Sequence, residues 1–178
     1  MHSSFTPRFS APWSEPKAWN EATSAIGGTR LQNRHDAERC STTAKRILKL
    51  YRELDDPMSA LCAVTCPTCN DSCCLRASVW YDFKDLLYIH FSGQDWPPHQ
   101  ALSIESRHCQ YLTPNGCALP RSIRPFICIW YLCPSQKQMI IRCRDRGFKG
   151  LDAHLQSLKD ERRLLEAQYI DAVDPSHY

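Results

Sequence analysis

Residues 61–74 read LCAVTCPTCNDSCC and place Cys62, Cys66, Cys69, Cys73 and Cys74 within fourteen positions. Two groupings compete. Cys62, Cys66 and Cys69 spell C-x3-C-x2-C, whereas Cys66, Cys69, Cys73 and Cys74 spell C-x2-C-x3-C-C. The choice decides the fold, because each grouping asks for a different scaffold. The shared Cys66-x2-Cys69 knuckle lets two sulfurs turn onto one metal, and such knuckles serve zinc and iron–sulfur sites alike. Adjacent side chains rarely point the same way, so Cys73 and Cys74 suit different atoms of a cluster, or two sites, better than one metal atom.

The chain has eleven cysteines in 178 residues. Their number is odd, which does not suit a closed disulfide framework. The opening MHSSFTPRFSAPWSEPKAW places proline and charge where a signal peptide needs an uninterrupted apolar segment. No apolar run approaches membrane-spanning length. The expectation is a cytoplasmic protein, where thiols stay reduced and bind metal rather than pair as disulfides. Net charge is +3 with 23% charged residues, a balance that points to neither nucleic acid nor membrane as partner. A protein partner stays open.

Working outward, a second thiol group lies in HCQYLTPNGCALPRSIRPFICIWYLCP, residues 108–134. Cys109 and Cys117 flank the turn-forming TPNG, which can bring them close. Arg124-Pro125 opens a short helix with Cys128 one turn inside it. Cys133 is five residues on, about 140° around an ideal helix. It shares a site with Cys128 only if the helix breaks between them, as Pro134 favours.

Length predicts one domain. Residues 1–33 read as an extended N-terminal arm, pinned by Trp13 and Trp19. Residues 34–172 read as a single cysteine-cluster domain and 173–178 as a tail. Apolar spacing predicts a helix over 36–54, capped by Asp36 and stopped at Asp55-Asp56-Pro57, with Cys40 as a buried hydrophobe on its stripe. Aromatic and β-branched residues over 78–91 predict one or two short strands. Leu151, Leu155, Leu158, Leu165 and Tyr169 predict an amphipathic helix over 151–170. The fold class is α+β, mainly helical and irregular, with two amphipathic helices packed around a cysteine-rich loop centre.

The ordered set of C-x2-C-x3-C-C, Cys109, GCALP, RPFIC and the closing YLCP resembles the YkgJ-type cysteine-cluster proteins over residues 62–135. The resemblance implies a zinc- or iron-chelating domain, with Cys66, Cys69, Cys73, Cys74, Cys109, Cys117 and Cys128 as ligands and Cys133 less uniformly matched. Some such proteins are flagellin lysine N-methylases, but no methyl-donor site is visible here. The competing C-x3-C-x2-C reading is the pattern of radical S-adenosylmethionine enzymes, normally hosted on repeated βα units. No βα alternation follows the motif, which also arises by chance in a cysteine-dense stretch.

Dedicated zinc modules usually show two C-x2-C knuckles, and this chain has one. Irregular loops of thiolates shielded by FICIWY favour an iron–sulfur cluster, of the 4Fe–4S type, with zinc as the alternative. The expected function is a soluble metal-binding protein. The alternatives are a protein-modifying enzyme of the lysine N-methylase type and a structural-zinc interaction module. No catalytic set emerges. His90 and His108 read as ordinary histidines. Cys62 reads as either a spare ligand or a buried thiol. Cys143, within RCRDRGFK, sits in a basic stretch that would make a thiol reactive.

Overall fold

A helix of 32 residues, roughly 48 Å long, organises the chain: α2, Arg34–Thr65. Asn33 caps it by accepting a hydrogen bond from the Asp36 amide at 2.9 Å, satisfying one of the amides that a helix start leaves unpaired. Cys40, Ala44, Ile47, Leu48, Tyr51, Leu54, Met58 and Leu61 form its buried stripe. The computed structural model describes residues 11–31, 33–67, 69, 79–103, 108–113, 116–143, 148 and 150–173.

The expected stop at Asp55-Asp56-Pro57 is not a stop, because Pro57 lies inside α2. Proline removes one helical hydrogen bond. Here it sits half-buried beside exposed Asp55 and Asp56, where a carbonyl without its partner stays within reach of water. The apolar stripe resumes at once with Met58 and Leu61, and tertiary burial outweighs the local break. Cys62 therefore sits on a helix rather than in a loop.

The expected strands at 78–91 are likewise overturned, since Phe83–Ser92 forms helix α3. Its start is a capping box, in which Asp82 accepts from the Asp85 amide at 2.8 Å and Asp85 accepts from the Asp82 amide at 3.0 Å. Its end is Gly93 at φ 70°, the left-handed position that glycine fills without strain. Asp85, Leu86, Leu87, Tyr88 and Ile89 are all buried. A helix enclosed on all sides loses its amphipathic period and reads as a strand.

Part of the expected extended arm is also helical: α1 spans Pro16–Gly28, with proline in its first turn. Trp19 does pin this segment. It is 2% exposed, its indole Nε1 donates to the Pro97 carbonyl at 3.0 Å, and its ring lies 5.4 Å from that of Tyr81. Trp19→Ala should lower stability by about 3–5 kcal/mol, the usual range for a buried tryptophan. A chemical denaturation midpoint close to that of the parent would show that α1 is not part of the cooperative unit.

Beyond α3 come a minimal antiparallel hairpin, β1 Leu112–Thr113 and β2 Gly116–Cys117, and a 3-10 turn at Arg121–Ile123. Helix α4 is Ile127–Trp130, α5 is Pro134–Arg142 and α6 is Leu151–Val173. The chain is mostly helical, a single small domain with one two-stranded sheet among the described residues.

The middle is a packing of α2, α3 and α6, with Tyr51 stacked on Tyr88 at 5.0 Å and an interplanar angle of 2°. Cys109, Cys117 and Cys128 pack against this core, only partly buried. The amphipathic reading of α6 holds for Leu151, Leu155, Leu158, Leu165 and Tyr169. Its buried stripe also contains Arg162, 1% exposed. The guanidinium donates to Asp85 at 2.6 Å and to Asp82 at 2.8 Å and lies 4.3 Å from the Phe126 ring centroid. A buried charge persists only with such pairing. Among the described residues no helix is long and apolar enough to cross a membrane.

Candidate metal centre

Cys109 and Cys117 are presented by the hairpin and the segment leading into it. Cys109 forms an isolated antiparallel bridge with Leu102, and the Gln110 amide donates to the Ala101 carbonyl at 2.8 Å. A tight turn follows, the Leu112 amide donating to the Cys109 carbonyl at 3.2 Å. Leu112 then pairs with Cys117 across the hairpin. The hairpin thus returns Cys117 toward Cys109, eight residues earlier, as TPNG implies; its Pro114 and Asn115 lie outside the described residues.

Cys128 comes from α4, and the core sets its position. Tyr81 and Tyr88, both buried, donate their hydroxyls to the Ile123 and Ser122 carbonyls, each at 2.7 Å. These bonds fasten the 3-10 turn to α3. The Phe126 amide donates to Asp85 at 3.1 Å, and the Cys128 amide donates to the Pro125 carbonyl at 2.9 Å. Gln100, itself buried, ties the surrounding segments together. Its amide nitrogen donates to the Pro12 and Tyr81 carbonyls at 2.8 and 3.1 Å, and its Oε1 accepts from the Tyr81 and Ala101 amides.

The three thiols share one electrostatic neighbourhood. Burial pushes the Cys128 thiol well above the ordinary cysteine range, and Cys109 and Cys117 push it further. Burial raises Cys109 too, with Cys117 adding to it and Arg124 opposing. Arg124 also opposes the rise at Cys128. Its Nε is anchored on the Leu119 carbonyl at 2.9 Å. Arg121 donates to Asp55 on α2 at 2.9 Å.

The other predicted ligands stand elsewhere or outside the described residues. Cys66 caps the end of α2 and is exposed, its amide donating to the Cys62 carbonyl at 2.9 Å. Cys69 is exposed and its amide donates to the Cys66 carbonyl at 3.1 Å. Cys73 and Cys74 lie outside the described residues. The expected break after Cys128 is present: α4 ends at Trp130 and Cys133 is the N-cap of α5. The Gln136 amide donates to the Cys133 sulfur at 3.5 Å, while its side-chain nitrogen donates to the Cys62 sulfur at 3.6 Å. Cys133 is thereby linked to Cys62.

Cys69 and Cys143 line an open cleft of about 280 Å³ between the end of α2 and α5. Cys40 is fully buried, and burial pushes its thiol up to about 11, as expected for an inert core cysteine. His90 is a packing residue, stacked 6.2 Å from Trp96, its pKa lowered by burial.

Among the described residues, no three Cys, His, Asp or Glu side chains stand together as a group that could hold a metal ion. Neither is there a parallel strand among them to carry the radical-enzyme scaffold. No family model, curated protein or solved structure matches the chain.

The sequence reading missed Asp85, Gln100 and Arg162, which hold the framework of the site. For Arg162 a signal existed: it falls in step between Leu158 and Leu165, on the apolar face of α6. A cation at a core position calls for a buried anion. Gln100 offered no such signal, because its partners are backbone groups distant in sequence.

Proposed function

We propose that the chain is a cytoplasmic metal-binding protein whose cysteine thiolates hold an iron–sulfur cluster of the 4Fe–4S type, with zinc as the alternative cargo. One observation carries this reading. Cys109, Cys117 and Cys128 come from separate elements, yet each lies within electrostatic reach of another, Cys128 beside both others. The donor set is soft and suits iron–sulfur or zinc coordination.

Burial and the neighbouring thiols raise Cys109 and Cys128, so the bare site resists holding their negative charge. A bound cation reverses that balance by favouring the thiolates. Arg124 offsets part of the remaining charge. Cys109, Cys117 and Cys128 would supply three ligands and the segment 66–74 the remainder. The resemblance to YkgJ-type proteins supports the same assignment. The partly buried Phe126, Ile127 and Leu132, packed against the core, would limit solvent access.

Protein purified without oxygen should be brown and contain iron with acid-labile sulfide. A colourless protein with stoichiometric zinc would replace the cluster by a zinc site. A protein holding neither metal would refute the reading.

A further inference from the structure

The cleft between α2 and α5 brings together three sulfur side chains that the proposed centre does not need as a set. It is lined by Cys69, Met139 and Cys143, together with Val64, Ser135 and Arg142. Met139 and Cys143 are four residues apart at the end of α5, where the Cys143 amide donates to the Met139 carbonyl at 2.9 Å. That spacing puts both on one helix face. Cys69 faces them from the exposed turn that follows α2. We infer that this cleft is a second metal site, taking a single soft monovalent cation of the copper(I) class between the Cys69 and Cys143 thiolates and the Met139 thioether.

The chemistry selects the ion. Two thiolates and a thioether form an all-sulfur set, which soft copper(I) prefers and hard cations such as magnesium or calcium avoid. Two thiolates and one monovalent cation leave a net charge of −1, which the Arg142 guanidinium in the same cleft offsets. The site is open and Cys69 is exposed, so an incoming ion can reach it from solvent. This assignment takes Cys69, one of the ligands the resemblance implies, out of the iron–sulfur or zinc centre and leaves Cys66, Cys73 and Cys74 to complete it.

The test is an oxygen-free titration of the purified full chain with copper(I), competed against a chromophoric copper(I) chelator, with iron and zinc measured on the same samples. The parent should take up one tight equivalent without losing its other metal. Cys143→Ser should weaken that binding by about 100-fold or more, beyond the range for lost supporting groups, and Met139→Leu by about tenfold. Cys40→Ser, in the hydrophobic core and outside the cleft lining, should bind copper(I) like the parent. Circular dichroism will establish that each variant is folded. No tight equivalent in the parent, parent-like affinity in folded Cys143→Ser, or copper uptake only with loss of iron or zinc would each overturn the proposal. Iron and sulfide content reports on the other centre separately, so either assignment can fail alone.

Discussion

Arg162→Met should destabilise the protein by about 3–5 kcal/mol, the usual cost of removing one partner from a buried ion pair. Methionine fills much of the same space, so the loss arises mainly from charge. Asp85 would keep a buried carboxylate that accepts from the Phe126 and Asp82 amides but has lost its guanidinium. Burial already pushes the Asp85 carboxyl up, and Arg162 is the main influence holding it down. Without Arg162 its folded pKa rises further above the unfolded value. A group with a raised folded pKa contributes its stability below the unfolded pKa and loses it as pH rises through the folded pKa. The penalty of Arg162→Met should therefore grow from acid toward neutral pH. Asp85→Asn in the same chain should recover part of it, because a neutral amide no longer needs a counter-ion. Denaturant titrations of both variants across pH will show this. A pH-independent loss with no recovery would mean that packing, not charge, is what Arg162 contributes.

The second large effect concerns the thiols. Cys128→Ser or Cys109→Ser should lose most of the bound metal and the stability that comes with it, because metal affinity is part of the folding free energy of such a site. Cys40→Ser should keep its metal, since Cys40 is buried in the α2 stripe and belongs to the hydrophobic core. Its cost is that of placing a hydroxyl in an apolar site, about 1–3 kcal/mol. Metal analysis with thermal unfolding separates the two classes. Equal metal loss in Cys40→Ser and Cys128→Ser would undo the grouping of thiols. Arg162→Met should fall between them. Asp85 and Phe126 connect the ion pair to the start of α4, so loosening it reaches Cys128 without removing a ligand.

These effects trace back to what the chain states locally and what it leaves to contact. By itself the sequence determined a mostly helical single domain. It determined α6 and the first two-thirds of α2 through apolar residues at helical spacing, and the break between Cys128 and Cys133 through Pro134. It also determined that Cys40 is a core residue and that Trp19 anchors the N-terminal segment. Each of these rests on a local rule, either periodicity, proline geometry or a large apolar side chain that must be buried.

Tertiary structure decided the rest. Helix α3 reads as a strand because burial on all sides erases the period that would reveal it, leaving its caps, Asp82 and Gly93, as the local marks of a helix. Pro57 reads as a stop because its local cost is plain in sequence, whereas the burial of Met58 and Leu61 that outweighs it depends on other elements. Among the thiols, spacing alone brought Cys109 and Cys117 together across their turn. Tyr81, Tyr88 and Asp85 hold the backbone around residues 122–126 and so keep Cys128 within electrostatic reach of both. Cys133 turns toward Cys62 through Gln136, and Cys69 shares a cleft with Cys143 because the extended α2 ends beside α5. Thiols carry no address in sequence beyond their spacing, so their grouping depends on where long helices end.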